Sequence, residues 1–96
     1  MSKFGLSESL FFQIVEVVNC YSEIEWIKIY GSRAIGTYRK TSDIDLAYCS
    51  ERDITGQVLD DLNQLPTAYR FDLTHYNTIE HEGLKQHIDT FGTPFV

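Results

Sequence analysis

Positive charge is in short supply in this chain. Eight Lys and Arg stand against fourteen Asp and Glu among 96 residues, a formal charge of −6. Proteins that hold long polynucleotides usually carry a basic stripe, whereas Lys3, Lys28, Arg52 and Lys85 are scattered singly. The one local cluster, Arg33, Arg39 and Lys40, suits a compact anion bound locally rather than a long nucleic acid. Apolar runs are only a few residues long, too short for a membrane span. Met1-Ser2-Lys3-Phe4-Gly5 has neither the charged nor the apolar region of a secretory signal. Cysteine is limited to Cys20 and Cys49, whose spacing matches no metal or redox motif. Reduced, buried thiols in a cytoplasmic protein are therefore expected. No repeat, linker or low-complexity tract interrupts the chain, and residues 1–96 are expected to form a single domain.

What is present suits a packed core: 43% of residues are hydrophobic and 14% aromatic. Leu10, Phe11, Ile14, Val17, Val18 and Tyr21 recur at helical spacing, predicting an amphipathic helix over 7–20 with Ser7 as its N-cap. Residues 25–30 are rich in β-formers and stop at Gly31, which predicts a strand. A short helix or turn over 33–38 and a second strand over 43–49 follow. Asp53 is expected to cap a helix with Ile54, Val58, Leu62 and Leu65 on its apolar face, closed by Pro66. Residues 69–74 read as a third strand. Asn77 with Glu80 resembles a capping box for a last helix bearing Ile79, Leu84, Ile88 and Phe91, and Phe95-Val96 suggests a brief edge strand. The order implies an α+β or α/β domain with a small mixed sheet flanked by helices.

The chemistry concentrates in Gly31-Ser32, Gly36 and Ser42-Asp43-Ile44-Asp45-Leu46. Alternate strand side chains share a face, so Asp43 and Asp45 point the same way with alpha carbons roughly 7 Å apart. Asp72 lies between Phe71 and Leu73 and repeats the pattern in the third strand. If the two strands are neighbours, three carboxylates converge; their repulsion raises at least one pKa, and a divalent cation removes the penalty. Hard oxygen donors favour Mg²⁺, with two ions expected, or Mn²⁺. Gly31 lets a phosphate approach the main chain, and Ser32 offers a hydroxyl and an amide. Arg33 either reaches a β- or γ-phosphate or pairs with a surface acid, and Lys40 and Arg39 are expected in a solvated loop, with a contact to substrate as the alternative. Asp43 and Asp45 as plain solvated carboxylates, and Asp72 as a partner of Arg70, are the bland alternatives. His75, His81 and His87 lie six residues apart, which does not match i, i+4 metal spacing, so core or surface roles are expected. Trp26 and Tyr30 either stack a base or fill the core. No Ser or Cys has a His and an acid at informative spacing, which leaves acyl transfer unsupported.

Tyr30-Gly31-Ser32-Arg33-Ala34-Ile35-Gly36, Ser42-Asp43-Ile44-Asp45-Leu46 and Phe71-Asp72-Leu73 together resemble the minimal nucleotidyltransferase (MNT) family of the DNA polymerase beta superfamily. The resemblance implies the nucleotidyltransferase fold and Mg²⁺- and ATP-dependent transfer of a nucleoside monophosphate. It implies that Asp43 and Asp45 hold the metals, that Asp72 completes the site, and that Gly31 and Ser32 hold the triphosphate. Proteins of this kind commonly serve as antitoxins whose partner is an all-helical HEPN ribonuclease toxin, adenylylated on a tyrosine. Ile35 departs from the family in occupying a position that is often basic. A catalytically silent scaffold that masks the toxin by binding alone is the competing expectation. No motif specifies the acceptor, the nucleobase or the oligomeric state, a homo-oligomer included.

Overall fold

The computed structural model describes residues 4–95, and Val96 of the expected edge strand lies outside them. The elements are α1 (Glu8–Asn19), β1 (Trp26–Tyr30), α2 (Ser32–Ile35), β2 (Ile44–Cys49), α3 (Thr55–Asn63), β3 (Phe71–His75), a 3₁₀ turn (Tyr76–Thr78), α4 (Glu82–Phe91) and β4 (Thr93–Pro94). The strands form one mixed sheet in the order β3-β2-β1-β4. β1 runs antiparallel to both β2 and β4, and β2 runs parallel to β3 through the α3 crossover.

Local signals start the helices at or beside the expected residues, with one exception. The Ser7 hydroxyl accepts the Leu10 amide at 3.1 Å and opens α1. Ile54, not Asp53, is the N-cap of α3, but the Asp53 carboxylate one residue earlier accepts the amide of Thr55 at 3.0 Å and its hydroxyl at 2.6 Å, satisfying the first helical amide. The Asn77/Glu80 capping box does not form. Asn77 instead accepts the Ser50 amide at 3.1 Å, which ties the 3₁₀ turn to the end of β2. The helix starts later, at Glu82, where the His81 ring nitrogen accepts the Leu84 amide at 3.0 Å.

Strand alternation decides the layers. Ile27, Ile29, Ile44, Leu46, Tyr48, Phe71 and Leu73 face α1 and α3 and join Leu10, Ile14, Val58 and Leu62 in the main core. Phe95 closes this core from the edge, its amide donating to the Ile27 carbonyl at 3.0 Å. The opposite face carries a smaller cluster of Tyr30, Ala47 and Ile88, with Trp26, Tyr76, Ile79 and Leu84 against it. Trp26 packs edge-on to Tyr76 with ring centroids 4.9 Å apart, so it belongs to this layer. Both cysteines are free, but neither is buried: Cys20 is exposed at the end of α1 and Cys49 partly so in β2. No helix among the described residues is long and apolar enough to cross a membrane.

Candidate active site

The ladder places the acidic residues. Asp45 is the Cα partner of Tyr30 on β1 and of Asp72 on β3, so two carboxylates stand side by side on neighbouring strands. Asp43 lies one residue before β2, exposed, on the face that Asp45 shares. The Asp45 carboxyl is pushed up to about 6, first by its partial burial, then by the charges of Asp72 and Asp43, with Arg33 and His87 pulling the other way. Among the described residues, no three His, Cys, Asp or Glu side chains close into a metal-holding group. The donor set is nevertheless one of hard carboxylate oxygens, mutually repelling and without a fixed counter-charge in contact, which fits Mg²⁺ or Mn²⁺ rather than zinc.

Gly31 is the second component. Its backbone adopts φ 74° and ψ −155°, a region essentially closed to other residues. A Cβ there would collide with Oδ2 of Asp45 and stand 3.3 Å from its Cγ. The missing side chain therefore lets the Asp45 carboxylate rest directly on the turn. The Gly31 carbonyl accepts the amides of Ala34 and Ile35 at 3.1 and 3.3 Å, which starts α2. Gly36, at φ 87°, ends that helix in the left-handed conformation. With only four residues, α2 has little macrodipole to offer an anion. Ser32 is partly buried, and its hydroxyl makes no hydrogen bond among the described residues, leaving it free for a ligand.

Arg33 does not sit where a phosphate contact requires. It is 2% exposed. Nε and Nη2 donate to the Ser42 carbonyl at 3.2 and 2.9 Å, and Nη1 donates to the Phe4 carbonyl at 2.8 Å. The guanidinium lies 5.2 Å from the Tyr38 ring centre and 4.7 Å from that of Tyr69. Neither a phosphate contact nor a surface ion pair describes it. Arg33 is a buried clamp that fixes the loop between α2 and β2, and hence the approach of Asp43.

His87 enters the site unexpectedly from α4. Its Nε2 accepts the Gly31 amide at 3.1 Å, and its ring stands between Tyr30 and Phe91, with centroid distances of 6.0 and 5.2 Å. An accepting Nε2 leaves the proton of the neutral ring on Nδ1. The Gly31 amide, next to the Ser32 amide expected to face phosphate, is thus engaged by an imidazole. The available signal was a polar residue three after Leu84 and four before Phe91, on an otherwise apolar helix face. Tyr30 shares this layer: its hydroxyl pairs with that of Thr74 at 3.2 Å, and burial raises its pKa against that hydrogen bond. His75 is a core residue, with Nε2 donating to the Ser50 carbonyl at 2.8 Å and Nδ1 facing the Thr78 hydroxyl at 3.1 Å.

Comparison with known proteins agrees with this geometry. Residues 13–95 match the family described as Polymerase beta, Nucleotidyltransferase. The fold is similar to a crystal structure of a toxin–antitoxin with AMP-PNP (TM-score 0.73, 22% identity, 90% of this chain and 72% of that one). It is similar to a toxin–antitoxin MntA-HpeT mutant bearing two Asp→Glu changes two positions apart (TM-score 0.70, 19% identity, 90% and 71% covered). It is also similar to a candidate nucleotidyltransferase from Sulfolobus solfataricus (TM-score 0.50, 20% identity, 98% and 87% covered). No curated protein matches the sequence significantly. With the mixed sheet, the glycine-backed carboxylate and a family match over most of its length, the chain belongs to the Polymerase beta nucleotidyltransferase family.

Proposed function

We propose that this nucleotidyltransferase moves AMP from ATP to a hydroxyl and acts as the antitoxin of a two-protein system. The proposed acceptor is a tyrosine of an all-helical HEPN ribonuclease toxin. The observation that carries the chemistry is the cross-strand pair Asp45 and Asp72, set against the bare α-carbon of Gly31. The antitoxin role draws on the likeness to toxin–antitoxin structures, one of them with AMP-PNP.

In this reading Asp43, Asp45 and Asp72 hold Mg²⁺, which when bound supplies Lewis-acid stabilisation of the charge developing on the phosphoryl oxygens. Ser32 donates its hydroxyl to a phosphate oxygen. Asp72, exposed on the outer strand, accepts the proton of the attacking hydroxyl. Gly31, held by His87 from one side and by α2 from the other, keeps Ser32 and Asp45 in one notch.

Among the described residues no metal-holding group of three side chains closes, which keeps a second reading in play, a scaffold that masks its partner without chemistry. One experiment separates the two. Protein, α-labelled ATP, Mg²⁺ and the product of the neighbouring gene are incubated, and label is sought on a tyrosine. Asp43→Asn combined with Asp45→Asn is expected to abolish labelling and protection together. Protection by the double variant as strong as by wild type would establish masking instead.

A further inference from the structure

Beside the carboxylates, an open cavity of about 380 Å³ is lined by Lys40, Thr41, Asp43, Ala68, Tyr69 and Arg70. Two segments build it: the loop that enters β2 and the one that enters β3. They are tied together by the Ile44 amide, which donates to the Arg70 carbonyl at 2.8 Å. Arg33 secures both from the core side, through the Ser42 carbonyl and the Tyr69 ring. Lys40 and Arg70 are exposed, and neither forms an ion pair among the described residues. Arg70 does not pair with Asp72 among the described residues, so that bland alternative does not hold. In a chain of net charge −6, two unpaired cations on one cavity rim are an exception to the surrounding field.

The position of the cavity assigns it a part. Gly31 and Ser32 close β1 and flank Asp45 from that side. The cavity lies at the entrances of β2 and β3 and has Asp43 in its lining, whereas the Gly31-Ser32 turn meets Asp45 from β1, on the other side of β2 from β3. In an in-line displacement the attacking and leaving oxygens occupy opposite sides of the phosphorus. If the turn takes the leaving pyrophosphate, the nucleophile arrives from the cavity.

We propose that this cavity receives the acceptor, and that the acceptor is a hydroxyl-bearing peptide segment with carboxylate side chains next to the hydroxyl. The proposal rests on the transfer reading above and names the class of substrate it selects. The acceptor oxygen forms a bond to the α-phosphorus, the bond from that phosphorus to the pyrophosphate oxygen breaks, and the hydroxyl proton passes to Asp72. Lys40 and Arg70 take no part in bond making. They pair with the acidic flanks and hold the hydroxyl toward Asp43 and Asp72, and they offset the repulsion that this acidic chain otherwise exerts on an acidic peptide.

The test uses tyrosine peptides flanked by Asp and Glu, or by Asn and Gln, with ATP and Mg²⁺. The acidic peptides are expected to show a KM about tenfold lower, a size suited to two exposed ion pairs, with the advantage shrinking as salt rises. Lys40→Gln with Arg70→Gln should erase that preference while the KM for ATP stays unchanged. Equal use of both peptide sets overturns the proposal. A double variant whose KM rises for ATP instead of for peptide also overturns it and gives the cavity to the triphosphate. Peptide binding measured by calorimetry without ATP keeps the two readings separable. Selective binding of acidic peptide, lost in the double variant, supports the cavity assignment even if no transfer is seen, and absence of binding overturns it.

Discussion

The two faces of the sheet differ in how they are held and in what they leave available. On one, Ile27, Ile29, Ile44, Leu46 and Leu73 disappear beneath α1 and α3, and no buried side-chain polar atom among the described residues lacks a hydrogen-bond partner. On the other, α4 and the 3₁₀ turn pack a smaller cluster around Tyr30 and Ala47, and Asp45 and Asp72 remain within reach of solvent. The first face supplies stability through apolar burial. The second leaves like charges together, at a cost that only a bound cation or a proton relieves. The comparison extends to the cations. Arg33, the basic residue nearest the Gly-Ser motif, serves the core side, whereas the free charges of Lys40 and Arg70 belong to the site side.

Substitutions can break this division, starting from the total loss of transfer expected of the Asp43/Asp45 double variant. That loss should reach about three orders of magnitude, matching several kcal/mol of metal-derived stabilisation, while the melting temperature does not fall. Arg33→Leu tests the core side. The carbonyls of Phe4 and Ser42 lose their donors, and urea denaturation should show a loss of about 2–4 kcal/mol. Nucleotide affinity of the folded protein should fall less than stability, and only through the loosened approach of Asp43, since the donors of Arg33 go to the Ser42 and Phe4 carbonyls. A large affinity loss with intact stability would return Arg33 to the site.

Gly31→Ala reaches the seam between the faces. A side chain at φ 74° costs about 1–3 kcal/mol and displaces the Asp45 carboxylate as well, so stability and Mg²⁺-dependent nucleotide binding should fall together. His87→Phe keeps a ring beside Tyr30 but leaves the Gly31 amide without its acceptor. Calorimetry should show nucleotide binding weakened by about tenfold, and His87→Gln, which restores an acceptor, should recover most of it. Tighter binding by the Phe variant would mean that the imidazole competes with phosphate for that amide.

The smallest effect concerns pH. Asp45 titrates near 6 in the folded protein against 3.8 when unperturbed, so the native state binds the extra proton between those values. Stability from this group is therefore complete below about 4 and is lost as pH rises through about 6. Without Mg²⁺, Asp45→Asn should melt a few degrees higher than wild type at pH 7.5 and show no advantage at pH 4. Added Mg²⁺ should reverse the order at the higher pH if, as proposed, Asp45 is needed to hold the ion.

Much of this was readable along the chain. β1 and β2 emerge from runs of β-formers cut by Gly31 and by the polar stretch before Ile44, and alternation alone puts Asp45 opposite the core. Ser7 and Asp53 mark helix starts because their partners are two or three residues away. Three of the failures come from partners far along the chain. Asn77 abandoned its expected cap for the amide of Ser50, 27 residues earlier, and His81, a residue rarely chosen as a cap, took the helix end. Arg33 answers Phe4, 29 positions away, and His87 answers Gly31 across 56.

Residue order was enough for the helices and strands, for the face that each aspartate occupies and for the need for glycine at position 31. Periodicity, turn geometry and steric exclusion all act over a few neighbouring residues. Folding settled which cations are free, which amide is already engaged and that Asp72 lines up with Asp45 across two strands. Those outcomes depend on distant segments competing for the same donors and space, and packing, not chain neighbourhood, selects the winner.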